Sequence, residues 1–299
     1  MKKLDFLIIG AQKSGTTTLF KLLSEHPYIY MPPQKELPFF TDDHAYASGF
    51  NMFLENHYKA VPITSQWGKA TPHYLSDDRA ASRIATVMPE VKLIVILRDP
   101  ADRALSHYRM SVRRGIEQRS FEEAIQQQLQ PESLEESRKL PVGRASETNT
   151  YIVWGEYGRL LKPYFDQFGK QKILTLFTKD LECDPENTLD MVCSFLGLDT
   201  VRPASLGKRF HEGGAHERLP WARSLARVHW IRYIWHAVPK RWRSPATYWF
   251  HQYNVVKEKD SLSNYDEFLG KDLYRHFHGD AALLKELLGR DLPWENKLG

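Results

Sequence analysis

The stretch Phe6–Leu23, FLIIGAQKSGTTTLFKLL, decides the fold. Phe6, Leu7, Ile8 and Ile9 make an apolar run with the length of a short buried strand. Gly10 closes it, and Gly15 permits a tight backbone turn. Thr16, Thr17 and Thr18 then open a helical pattern carrying Leu19, Phe20, Leu22 and Leu23. Strand, glycine loop and helix start in this order form an anion cradle: the loop N–H groups and the positive end of the helix dipole converge on one spot. Lys13 adds a full charge there, and Ser14, Thr16, Thr17 and Thr18 add hydroxyl donors. The bland alternative is an ordinary strand-to-helix turn with a solvated lysine.

The loop reads Gly10-Ala11-Gln12-Lys13-Ser14-Gly15-Thr16-Thr17, so its lysine precedes the second glycine. A loop ending Gly-Lys-Ser/Thr would place a hydroxyl on Mg²⁺. The earlier lysine suits a ligand with one 5′-phosphate and a leaving group beside it, and not a triphosphate with magnesium.

A second cluster lies downstream. Val91–Leu97, VKLIVIL, is the clearest buried strand in the chain and ends at Arg98. Asp99 and Pro100 then supply an N-cap and a first-turn proline for a helix carrying Ser106, His107 and Tyr108. Arg98 at the strand end and Ser106 two turns into the helix can face one ligand, the guanidinium by charge-assisted bonds and the hydroxyl as a donor. A structural ion pair is the competing reading of Arg98. Arg103 and Arg109 read as solvated or supporting.

Lys-Ser-Gly-Thr-Thr-Thr-Leu after an apolar strand resembles the 5′-phosphosulfate loop of sulfotransferases that use 3′-phosphoadenosine 5′-phosphosulfate (PAPS), in particular the branch with heparan sulfate sulfotransferases and bacterial relatives. Leu97-Arg98-Asp99-Pro100 with Arg103, Ala104, Ser106 and Tyr108 is similar to that family's 3′-phosphate site. Lys35-Glu36-Leu37-Pro38-Phe39-Phe40 resembles its Lys-Glu-x-x-Phe-Phe segment, whose glutamate is the proposed general base. A carboxylate beside apolar side chains is expected to have a raised pKa, and a local cap or salt bridge is the other reading of Glu36. Lys69-Ala70-Thr71-Pro72-His73-Tyr74 resembles the segment lining the acceptor pocket. Thr71, Pro72 and Tyr74 match it, but Lys69 stands where relatives have glutamate and Ala70 where heparan enzymes have lysine. The resemblance thus implies Lys13 and Glu36 as catalytic residues. It implies donor contacts from Lys13, Ser14, Gly15, Thr16, Thr17, Thr18, Arg98 and Ser106. Lys208, Arg209 and Arg218 join them from a basic glycine-containing loop that folds over the nucleotide. Acceptor contacts are implied for Lys35, Lys69, Thr71, His73 and Tyr74, with His73 a second-choice base. PAPS would be the donor, adenosine 3′,5′-bisphosphate the product, and no metal is expected.

The chain has 299 residues, 42% hydrophobic and 26% charged, enough for one large soluble α/β domain. The expected fold is a P-loop NTPase-like three-layer domain: a central parallel sheet flanked by helices, with ligand at the carboxyl ends of the strands. A single sulfotransferase domain over 1–299 is expected. Two cysteines, Cys183 and Cys193, make neither a disulfide framework nor a zinc site. The apolar run after Met1-Lys2-Lys3 is too short for a signal peptide or membrane span, so a cytoplasmic protein is expected. Net charge is +4, unevenly placed: 218–257 holds eight Lys or Arg and no Asp or Glu, leaving −4 elsewhere. That block, with five of the eight tryptophans, reads as a lid, a lipid-touching surface, or helices packed with snorkelling arginines.

Helices are expected over Phe50–Tyr58, Asp77–Met88, Phe121–Leu129 and Tyr151–Phe168, and a strand over Ile173–Phe177. Asp184-Pro185 starts another helix, and the last lies between Leu273 and Leu292. Gln130–Thr148 reads as a mobile acceptor-binding loop or a variable insertion. The function expected is sulfuryl transfer to a hydroxyl or amine of a small molecule or carbohydrate, with no nucleic-acid partner. A P-loop kinase or a non-catalytic nucleotide or membrane-surface module are the alternatives.

Overall fold

A computed structural model of the chain describes residues 2–207, 215–217, 255–257 and 267–298. The central sheet has five strands, all parallel: β1 (Phe6–Gly10), β2 (Ile29–Tyr30), β3 (Gln66–Ala70), β4 (Lys92–Leu97) and β5 (Ile173–Phe177), in the order β2-β3-β1-β4-β5. Between them run α1 (Thr16–Ser24), α2 (Asp43–Ala47), α3 (Phe50–Tyr58), α4 (Ala80–Val87), α5 (Pro100–Arg113), α6 (Phe121–Gln128), α7 (Pro131–Lys139) and α8 (Tyr157–Phe168). After β5 come α9 (Thr178–Cys183), α10 (Pro185–Leu196), a short antiparallel pair of β6 (Ala215–Glu217) and β7 (Val255–Lys257), and α11 (Glu267–Leu288).

Alternation along the strands builds the layers. Phe6 and Ile8 of β1, Ile94 and Ile96 of β4 and Leu176 of β5 meet Leu19, Leu22 and Leu23 of α1 and Leu189, Val192 and Leu196 of α10. Leu7, Ile9, Leu93, Val95 and Leu97 point the other way, towards Phe53 of α3, Ile84 of α4, Leu161 of α8 and Leu284 of α11. With both faces covered, the strands read as continuous apolar runs. This is the three-layer α/β arrangement that the motif order implied.

Several elements differ from expectation. Gln130–Thr148 is not one open loop: its first half is α7, with Pro131 in the first turn and Arg138 and Lys139 in the last, a favourable charge order for the helix dipole. The α6 helix, whose polar sequence reads as a surface helix, buries Phe121, Ala124 and Ile125 against Leu105, Tyr151 and Leu273. The helix expected from Tyr151 begins at Tyr157, after a 3₁₀ turn over Val153–Gly155. Strand β3 had no strand-like signal; Gly68 faces the ring of Phe6, where a Cβ would come within 2.1 Å of Cζ.

Candidate active site

The parallel order places the ends of β1 and β4 side by side, and with them the two sequence clusters. A Cβ at Gly10 would come within 2.6 Å of the Leu75 Cβ, so only glycine lets Leu75 pack there. The Ala11 N–H donates to the Ile96 carbonyl at 2.7 Å, joining the loop's start to β4. Lys13 has φ 72° and Gly15 φ 100°, so the backbone turns through left-handed conformations on either side of Ser14. Gly15 caps α1 without a side-chain partner, and the first turn holds no acidic residue. The N–H groups of that turn are therefore left for an anion. The Ser14 hydroxyl is buried without a hydrogen-bond partner. These features fit an anionic group at the start of α1.

One side chain ties this loop to the Arg98 end of β4. Thr178 Oγ1 lies 2.7 Å from the Ser14 carbonyl and 3.2 Å from the Leu97 carbonyl. Tyr157 is fully buried nearby, its hydroxyl without a hydrogen-bond partner, and burial first of all pushes its pKa up to about 12. Beyond Arg98, Asp99 caps α5 by accepting from Ala101 N–H and Asp102 N–H. The same carboxylate accepts from the Tyr274 hydroxyl and Lys297 Nζ, both at 2.8 Å, so the C-terminal segment braces this turn. Ser106 is buried on α5. Arg103 and Arg109 are buried too, which corrects the solvated reading. The Arg103 guanidinium donates to the Tyr151 carbonyl, and burial lowers its pKa to about 10.

Lys35 and Glu36 reach the loop from the side. Lys35 Nζ lies 3.1 Å from Glu36 Oε1 and 3.3 Å from Thr16 Oγ1, so one ammonium bridges the carboxylate to the first residue of α1. Burial would raise the Glu36 pKa, but Lys35, His73 and Arg114 outweigh it and hold the carboxyl below the usual range. The expected upward shift is therefore corrected: the side chain keeps 48% of its exposure and has an ion-pair partner.

The end of β3 and the segment after it hold the backbone around Lys35 and Glu36 from beneath. Thr71 Oγ1 donates to the Leu37 carbonyl at 3.2 Å and accepts from Leu37 N–H at 3.4 Å. The Tyr74 hydroxyl donates to the same carbonyl at 2.7 Å. Lys69 is buried and donates to the Gln34 carbonyl. The structure thus places Lys69, Thr71 and Tyr74 on the backbone flanking Lys35 and Glu36, with Tyr74 fully enclosed. His73 points elsewhere: its Nε2 is 2.9 Å from Gln12 Nε2, and its ring lies against Trp154. Burial lowers its pKa despite the opposing pull of Glu36 and Glu147. Arg114 pairs with Glu147 at 2.7 Å on the same side.

Sequence reasoning gave no role to Gln12, Arg114, Glu147 or Thr178. Thr178 had a usable signal, since it directly follows a buried strand, and ligands collect at the carboxyl ends of parallel strands. Lys208, Arg209 and Arg218 lie outside the described residues. Among the described residues, no cluster of three or more His, Cys, Asp or Glu is placed to hold a metal ion, and no helix is long and apolar enough to cross a membrane.

A model of the sulfotransferase domain matches residues 3–208. The chain belongs to the sulfotransferase family. This sulfotransferase is 36% identical over 110 residues to the membrane-associated sulfotransferase kil1 of Dictyostelium discoideum, a match covering 36% of the chain and 23% of that protein. It is 30% identical over 203 residues to the bifunctional heparan sulfate N-deacetylase/N-sulfotransferase 1 of Homo sapiens, covering 64% of the chain and 22% of the relative. The matches thus span less than a quarter of either curated relative's length. The crystal structure of a sulfotransferase from Alicyclobacillus acidocaldarius superposes with a TM-score of 0.67 at 23% identity over 98% of each chain, which shows the shared fold.

Proposed function

We propose that this sulfotransferase moves a sulfuryl group from PAPS to a hydroxyl or amine of a carbohydrate or small molecule. The observation that carries the reading is the joining of two cationic clusters in one place. The capless start of α1 with Lys13 and the Arg98 end of β4 are held together by Thr178. A donor with a phosphosulfate at one end and a 3′-phosphate at the other needs two such poles. Lys13, Ser14, Gly15, Thr16, Thr17 and Thr18 would hold the phosphosulfate, and Arg98 and Ser106 the 3′-phosphate. Lys208, Arg209 and Arg218 remain candidates to close over the nucleotide.

In the reaction proposed, the acceptor oxygen or nitrogen forms a bond to sulfur while the bond from sulfur to the phosphate oxygen breaks. Glu36 takes the acceptor proton. Lys13 and the loop N–H groups stabilise the charge developing on the bridging oxygen, a contribution of about 10²-fold in rate by comparison with single donors at oxyanion sites. The products are the sulfated acceptor and adenosine 3′,5′-bisphosphate. His73 and Lys35 stay candidates for acceptor contact, Lys35 because it stands between Glu36 and Thr16. Heparan sulfate appears in the name of the human relative, which supports a carbohydrate acceptor. Lys69 and Ala70, which depart from the resembling motif, weigh against heparan itself.

Calorimetry with adenosine 3′,5′-bisphosphate against ATP with magnesium tests the donor reading. Preferential binding of the bisphosphate is expected, and preference for ATP would overturn it. Transfer of radiolabelled sulfate from PAPS to glucosamine, desulfated heparan and 4-nitrophenol sorts the acceptor classes.

A further inference from the structure

We infer that Lys69 is a positioning residue: it holds the Gln34–Leu37 segment over the phosphosulfate loop through the Gln34 carbonyl and adds its charge to those that Glu36 feels. The inference rests on the reading of Glu36 as the base.

Four hydrogen bonds fix this segment from below, and they come from one short stretch. Thr71 and Tyr74 take both backbone groups of Leu37, on the far side of Glu36. Lys69 takes the carbonyl of Gln34, on the near side of Lys35. Lys35 and Glu36 are therefore held between two anchored residues. Removing the Gln34 anchor leaves the segment fixed at one end only, and Glu36 free to drift from Thr16 and the loop.

The lysine is an unusual choice for an anchor. On β3 it stands in register with Leu7 of β1, on the face that packs against Leu37, Tyr58 and Tyr74. A neutral donor would hold a carbonyl there without burying a charge, and a buried ammonium is costly. What the ammonium adds is a charge near Glu36. The titratable groups facing it are Glu36 and Lys35 from the segment above and His57 from α3. Tyr58 lies beside it with its hydroxyl on the Gly68 carbonyl at 2.8 Å. Burial lowers the Lys69 pKa to about 7, with Glu36 opposing the shift and Lys35 adding to it. Near neutrality the charge is thus switchable, while a neutral amine still donates to Gln34. With Lys69 charged, the Glu36 carboxylate is stabilised and a weaker base. With Lys69 neutral, the same carboxylate holds a proton more readily. Turnover should therefore rise with pH through about 7.

The test is Lys69→Met, followed by release of labelled sulfate from PAPS to water, which needs no identified acceptor. The expected result is a fall in kcat of about tenfold to a hundredfold at about pH 8. Affinity for adenosine 3′,5′-bisphosphate should stay within about twofold, with the melting temperature kept or raised, because a buried charge is gone. The rise of kcat through about pH 7 expected of the parent should be absent from the variant. Unchanged kcat and an unchanged profile would overturn the inference. So would joint loss of nucleotide binding and thermal stability, the mark of a purely structural residue. If the Met variant does not fold, the parent profile decides alone: a kcat flat between about pH 6 and pH 8.5 sinks the charge role. Glu36→Gln, measured in parallel, separates the two readings. Full activity there removes Glu36 as the base, whereas an inactive Glu36→Gln beside a fully active Lys69→Met removes only the role given to Lys69.

Discussion

Thr178→Val removes one hydroxyl and keeps the side chain's shape, so packing around β5 and α9 should not change. The hydroxyl lies 2.7 Å from the Ser14 carbonyl and 3.2 Å from the Leu97 carbonyl. It has a single proton, so the shorter contact is the main bond and the longer one a weak second. Losing the donor costs about 1–2 kcal/mol, the penalty for leaving a partly buried carbonyl unpaired. For a chain of this size that is a fall of about 2–6 °C in melting temperature. The second consequence is functional. Ser14 sits between the two left-handed residues of the anion loop, and Leu97 immediately precedes Arg98. With the link cut, the two ends of the site lose a shared constraint, and a ligand spanning both must restore the order itself. If most of the cost is felt in binding, affinity for adenosine 3′,5′-bisphosphate falls by about tenfold, while affinity for adenosine 5′-phosphate, which touches one pole, falls less. Calorimetry with both nucleotides and thermal unfolding measure this, with Thr178→Ser as the control that keeps the hydroxyl. Parent-like stability and bisphosphate affinity in the valine variant would refute the idea that Thr178 couples the clusters.

Glu36→Gln should lower sulfuryl transfer by about 10²-fold or more while leaving bisphosphate affinity within about twofold, read from steady-state turnover and calorimetry. Gly158→Ala puts a Cβ 2.4 Å from the Asp280 carbonyl and 3.0 Å from the Leu284 nitrogen, so α8 and α11 must separate; a loss of about 3 kcal/mol in denaturant unfolding is expected. Glu156 is buried, which alone would raise its pKa, yet His276, Arg138 and Arg159 bring it down to about 2. Its contribution is therefore complete above the unfolded-state value of 4.5 and is lost as pH falls towards 2. At 1.36 kcal/mol per unit this amounts to about 3 kcal/mol. Melting curves of Glu156→Gln and the parent should converge over that acid window.

Much was legible in one dimension because it rests on local chemistry. The apolar runs at Phe6, Lys92 and Ile173 are strands, since a strand buried on both faces must be apolar throughout. Asp99-Pro100 and Asp184-Pro185 start helices because an acceptor side chain and a missing N–H both suit a first turn. Gly15 is needed where φ reaches 100°, and the motif order around it sufficed for the fold and the family.

What the tertiary structure decided depends on groups distant in sequence. The charge state of Glu36 turned on Lys35, His73 and Arg114 and not on its aromatic neighbours, because a close ammonium outweighs partial burial. Lys69, Thr71 and Tyr74 became backbone anchors because β3 runs directly beneath the Gln34–Leu37 segment, a proximity that no spacing along the chain encodes. Thr178 joined the site only once β5 was laid beside β4, bringing together carbonyls from residues 14 and 97. Patterns along a chain report what each residue prefers; which backbone group a side chain finally meets is set by the order of the strands.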